Sequence, residues 1–185
     1  AMLYNPIEPE REAVIAIVKK VYQAKSRPLP VSKEDLRPLA VAQPGQSVTN
    51  VFKDAKTLYA ILVEFYELLK DNPEIGPKLA ESQLCVQFRY QNPSAVITID
   101  ASGDDLKIIP GRFDGQPEVV LSMQADFAHA FWHGKANLVS ALTRRQVKAK
   151  GNVPKTIKLL PILKPSYALY PQFLADKGLR HLVMT

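Results

Sequence analysis

Apolar positions along this chain follow two periods, which divide it into helices, a sheet and an irregular arm. Residues 8–25 show the helical period, with Val14, Ile17, Val18 and Val21 as an apolar stripe. Glu8, Glu10 and Glu12 precede the stripe and Lys19, Lys20 and Lys25 close it, as the helix dipole prefers. Pro28, Pro30, Pro38 and Pro44-Gly45 follow. Such a segment cannot sustain regular structure and reads as a linker or wrapping arm. A second helix is predicted from Phe52 to Leu69, where Phe52, Ala55, Leu58, Tyr59, Leu62, Phe65, Tyr66 and Leu69 recur at three-and-four spacing. Asn72-Pro73 stops it, and Ile75 to Ala80 reads as a short helical turn.

The period then changes to two. Leu84, Val86, Phe88 and Tyr90 alternate with Cys85, Gln87 and Arg89 before Asn92-Pro93. Ala95, Ile97 and Ile99 repeat the pattern up to Ser102-Gly103-Asp104, and Leu106 and Ile108 make a short strand ending at Pro110-Gly111. Val119, Leu121 and Met123 make a fourth strand after Asp114-Gly115. Consecutive short strands with hairpin-type turns predict a mainly antiparallel sheet with one face toward a core. A helix is predicted from Asp126 to about His133 and ended by Gly134. Leu138, Val139 and Leu142 form an apolar turn, and Gln146 to Gly151 is the fifth strand. A closing helix runs from Pro154 to about Leu163, setting Ile157, Leu160, Ile162 and Leu163 against Lys155, Lys158 and Lys164. The class is α+β, a five-stranded sheet covered by helices.

Composition narrows the function classes. The 185 residues are 46% hydrophobic and 23% charged, enough for a real core and too much for a disordered chain. The densest apolar window, Leu58 to Leu69, is interrupted by Glu64 and Glu67, so no transmembrane span is expected. Ala1 ahead of Met2 reads as a cleavage scar and no secretory signal precedes Pro6. Cys85 alone can form neither an internal disulfide nor a cysteine cage, and it suits a reducing compartment. The expected location is cytoplasmic.

The net charge of +6 is unevenly spread. Residues 144–185 carry nine Lys/Arg against the lone Asp176, while residues 51–143 are net acidic. Arg144, Arg145, Lys148, Lys150, Lys155, Lys158 and Lys164 come with no acid among them. Such a run reads either as a solvated face or as a surface for an anionic partner, a lipid headgroup or an acidic membrane. Its cations interleave with Ile157, Leu159, Leu160, Ile162 and Leu163, the pattern of a lipid surface more than of nucleic acid. Tyr167 and Tyr170 lie nearby, but no RNA-recognition, KH or zinc-finger pattern accompanies them.

Catalytic chemistry finds little support. His129 and His133 share a helix face, as zinc ligands do, yet no third ligand is evident. Ser122, Asp126 and His129 lack the G-x-S-x-G elbow of a serine hydrolase, and no glycine-rich phosphate loop is present. No enzyme, metal or cofactor is expected, and Cys85 reads as an inert thiol.

From Phe52 to Lys164 the chain resembles the sterol carrier protein 2 (SCP-2) family. Gln116-Pro117-Glu118-Val119-Val120-Leu121-Ser122-Met123, followed by Asp126-Phe127, is similar to its "D-V-T-L-S-M-S-D-E-D-F" strand-to-helix passage. Gly134-Lys135 matches the "G-K" that follows. Gln146-Val147-Lys148-Ala149-Lys150-Gly151-Asn152 resembles the family's basic "K-I-K-G-D" strand, and Ile157 to Leu163 its closing apolar helix. Leu182-Val183-Met184-Thr185 is not the peroxisomal S-K-L signal of animal members. The expected organisation is an N-terminal helix and Pro-rich arm over 1–50, outside the family core, an SCP-2-like domain over 51–170 and a C-terminal tail over 171–185.

It also implies a non-enzymatic role and an apolar tunnel between the sheet and the C-terminal helices. The ligand would be a fatty acid, fatty acyl-CoA, sterol-like or isoprenoid lipid. Val86, Phe88, Ile97, Ile99, Leu121 and Met123 would form one wall, and Phe127, Phe131, Trp132, Leu142, Ile157 and Leu160 the other. On periodicity alone such a set is more often plain core than a cavity. The cations named above would then meet an anionic headgroup or membrane. A competing reading is an accessory module whose groove holds a partner helix or the chain's own proline arm.

Overall fold

The computed structural model describes residues 51–185. The helix expected over 8–25 and the proline arm lie outside them. Helix α1, Ala55–Asp71, opens at Asp54, whose carboxylate accepts the Thr57 N–H at 2.8 Å. Its apolar stripe is buried as the spacing requires, with Leu58, Ile61, Leu62, Phe65, Tyr66 and Leu69 inside. Asn72 ends it and turns the chain, its side-chain oxygen accepting the N–H groups of Glu74 and Ile75. Helix α2, Gly76–Glu81, starts so close that a Cβ on Gly76 would stand 2.0 Å from the Lys70 carbonyl oxygen. Only glycine fits there.

Strands β1 (Cys85–Gln91), β2 (Ala95–Asp100), β3 (Lys107–Pro110), β4 (Val119–Gln124) and β5 (Lys148–Gly151) form one sheet in the order β3-β2-β1-β4-β5. Its pairings are antiparallel except β1 with β4, which is parallel. The sheet is thus mixed and mostly antiparallel. Phe88 stands opposite Ile97 on one side and Leu121 on the other, and Tyr90 opposite Ala95 and Met123. This register gathers the alternating apolar residues on one face.

Helix α3, Ala125–Trp132, follows β4 directly, and α4, Leu138–Thr143, is capped by Asn137. The single closing helix expected over 154–163 is instead two short ones, α5 (Val153–Ile157) and α6 (Leu160–Leu163). Pro161 lacks the N–H that a continuous helix would direct back to Ile157. The tail expected over 171–185 is also not a tail. Helix α7, Ser166–Asp176, runs into it, a 3-10 turn follows at Arg180–Leu182, and Phe173, Leu174, Leu179 and Leu182 are buried. Phe65 of α1 is the hub of this packing, its ring centroid 4.7 Å from Tyr170, 5.3 Å from Trp132 and 5.5 Å from Phe173. The Lys177 ammonium pairs with the Glu64 carboxylate and ties the end of α7 to α1.

Candidate lipid-binding cavity

The apolar face of the sheet is not fully covered. Between it, α1, α3 and the α5–α6 segment lies a cavity of about 70 Å³, measured by where the centre of a water molecule fits. The empty space around it, including its mouth, is about 890 Å³. Val86, Phe88 and Ile99 form the floor with Leu121 and Met123. Phe127, Phe131 and Trp132 form the α3 wall, and Leu159, Leu160 and Leu163 close the α5–α6 side. No charged side chain is among the lining residues.

The structure brings most of the predicted wall together, and three residues stand apart. Ile97 shares the floor's face but is fully buried in the core. Leu142 is half-buried against the core outside the cavity, and Ile157, half-buried at the end of α5, does not reach it. Periodicity missed Tyr66 and Leu69 of α1, Leu79 of α2, Tyr90, and the β3 contribution of Ile108. All carry the apolar spacing of their elements, a signal that marks burial and not the place where packing is incomplete.

The predicted cation set separates as well. Ala149 stands opposite the floor residue Leu121, so its neighbours Lys148 and Lys150 project from the other face of the sheet. Lys158 and Lys164 are exposed beside the α5–α6 wall, whereas Lys155 pairs with Glu118 at 3.4 Å. Arg144 and Arg145 are exposed where α4 ends.

The histidines are committed to the fold. Carbonyl oxygens only accept, so His129 Nε2–H donates to Leu182 O at 2.8 Å and Nδ1 accepts from the Tyr170 hydroxyl at 3.0 Å. His133 Nδ1–H donates to His129 O, and Nε2 accepts the Met184 N–H at 3.1 Å. Burial, then the neighbouring His133, lowers the His129 pKa to about 3, and burial lowers that of His133. Ser122 is on the sheet face opposite the cavity, and Asp126 Oδ1 accepts the Val51 N–H at 2.9 Å, so no triad assembles. Desolvation, with Asp100 nearby, pushes the Cys85 thiol up to about 11, far from a reactive thiolate.

This fold has counterparts among known proteins. The SCP-2 sterol transfer family model matches residues 65–164, more than half of the chain. The chain belongs to the SCP-2 sterol transfer family. Among solved structures it is similar to the sterol carrier protein domain 2 of Helicoverpa armigera, at 16% identity and a TM-score of 0.50. That alignment covers 60% of this chain and 89% of the other. Sterol carrier protein 2 from Yarrowia lipolytica matches at 14% identity and TM-score 0.44, over 67% of this chain and 92% of its own. The SCP-2-like protein 2 of Aedes aegypti matches at 16% and 0.42, over 55% and 92%. No curated protein matches the chain in sequence. At such identities the Helicoverpa likeness speaks for the fold. SCP-2 domains are in general non-enzymatic lipid carriers, so family membership implies lipid binding or transfer. No helix among the described residues is long and apolar enough to cross a membrane.

Proposed function

We propose that this protein binds a hydrophobic ligand in the cavity between the sheet and helices α3, α5 and α6 and passes it to and from membranes, without catalysis. The observation that carries this reading is the wall itself, apolar and free of charged side chains, in a protein whose family transfers lipids. Burying ten methylenes at ~0.8 kcal/mol each contributes about 8 kcal/mol, against ~4 kcal/mol or more for association. The surplus, at most about 4 kcal/mol, corresponds to roughly millimolar affinity, and each further buried methylene tightens it.

Phe131 tests the wall, being half-buried on α3 and in edge contact with Tyr167 at 5.6 Å. A Phe131→Arg variant that keeps the native circular dichroism should take up a fluorescent fatty acid methyl ester at least about tenfold more weakly, since an unpaired charge is costly in an apolar wall. Uptake unchanged in a folded variant would show that the ligand sits elsewhere.

Lys158 and Lys164 would direct the α5–α6 wall to an anionic membrane while ligand passes. Binding to phosphatidylserine-containing vesicles should fall with added salt, and by about tenfold or more when both lysines become glutamate. The same change at Lys148 and Lys150, on the far face of the sheet, should have a much smaller effect. Equal losses from the two pairs would mean that net charge, and not this wall, governs docking. Cytoplasmic location belongs to the same proposal.

A further inference from the structure

The cavity wall contains a polar island whose hydrogens do not balance, whereas the other hydroxyls of the lining, Ser82 and Thr156, donate to the carbonyls of Leu79 and Asn152. Tyr66, Tyr90 and Trp132 all line the cavity and are at most 3% exposed. Trp132 Nε1–H donates to the Tyr66 hydroxyl oxygen at 3.2 Å, and the Tyr66 and Tyr90 oxygens are 2.6 Å apart. Three hydrogens meet there. The indole hydrogen goes to Tyr66, and one phenolic hydrogen joins the two oxygens. The other phenolic hydrogen, on Tyr90 if Tyr66 donates and on Tyr66 if Tyr90 donates, has no acceptor among the described residues. Buried donors are normally satisfied.

The ligand can supply the missing acceptor. A carboxylate would be poorly served, since no cation lines the cavity and one donor cannot satisfy its oxygens. A hydroxyl brings its own hydrogen and recreates the surplus. A carbonyl oxygen accepts and donates nothing. Burial holds the phenols neutral, Tyr66 being pushed up to about 12. Resting on the lipid-binding reading above, we infer that the cavity takes an uncharged lipid bearing a carbonyl group, whose oxygen accepts the spare hydrogen of the Tyr66–Tyr90 pair.

The test compares undecan-2-one with 2-methylundec-1-ene, which replaces the oxygen by a methylene of similar shape. Single variants are uninformative about affinity: Tyr90→Phe releases the Tyr66 hydrogen, and Tyr66→Phe releases the indole N–H. The combined Tyr66→Phe, Tyr90→Phe, Trp132→Phe protein removes every donor of the island. Relative to the wild type it should bind the ketone about fivefold or more weakly and the alkene nearly unchanged. Equal changes for both compounds would overturn the inference. If the wild type binds neither, the lipid-binding reading itself fails.

A second readout needs only the wild type and Tyr90→Phe. The infrared carbonyl stretch of bound undecan-2-one should lie below its value in hexane in both proteins. A stretch at the hexane position would overturn the inference whether or not the triple variant folds.

Discussion

Lowering the pH from 7 to about 4.5 is expected to reduce the thermal unfolding midpoint by about 10 °C. The cause is the pair of buried histidines on α3. His129 is held neutral to about pH 3, against 6.5 when exposed. The unfolded chain therefore binds more protons between those values, and stability is lost as the pH falls through that window. By pH 4.5 His129 alone contributes a loss of roughly 2–3 kcal/mol. His133 adds to it in the same direction, because its protonated Nε2 could no longer accept the Met184 N–H. His129 faces Tyr170 and Phe52, and Lys135 further disfavours a charged His133. Asp54 and Asp100, both lowered by hydrogen bonds, titrate below this range. A His129→Gln variant should start less stable and depend less on pH. A flat midpoint in the wild type would contradict the neutral, hydrogen-bonded assignment of both rings.

Replacing Gly151 with alanine should cost about 3 kcal/mol or more. Its φ is +100°, and a Cβ there would stand 2.0 Å from the Glu118 carbonyl oxygen, with the Val119 Cα also within 3.2 Å. The obstacle is backbone of the neighbouring strand and cannot swing aside. Gly151 pairs with Val119 at the end of β5, immediately before Asn152 caps α5. The damage should therefore spread to the α5–α6 wall. Gly111 is the control, with φ +79° but nothing within 4 Å of its Cβ position. Gly111→Ala should cost only about 1 kcal/mol. Urea denaturation of the two variants compares them directly, and equal stabilities would contradict the close approach at β5.

The parts of the fold legible in the sequence are those where period and burial coincide. The alternation through Val86–Tyr90, Ala95–Ile99 and Val119–Met123 gives the strands and the face they present. The parallel pairing of β1 with β4 is not readable, because it depends on the order of strands in space and not on any pattern along one of them. Helix α7 escapes for a different reason. Pro165 and Pro171 bracket its first turns and read as breakers, yet Pro165 sits at the cap and Pro171 is tolerated inside. Tertiary packing of Tyr170 and Phe173 on Phe65 outweighs the lost hydrogen bond.

The cavity is only half readable. Phe88, Leu121 and Phe131 are plainly inward, but Ile97 has the same pattern and fills core. Periodicity says which side of an element is buried; whether the space beyond is filled depends on how side chains from distant elements meet. The histidines show the same limit. Their i, i+4 spacing does bring the rings together, with centroids 4.5 Å apart. Their nitrogens are spent on Leu182 and Met184, near the end of the chain, which the spacing could not foretell.

The central claim is that the cavity holds a lipid, and titration of delipidated protein with a fluorescent fatty acid methyl ester, which is uncharged, tests it most directly. The account predicts saturable uptake at one site per chain, displaced by unlabelled lipid. A response that rises linearly without saturation, or none at all, would contradict it.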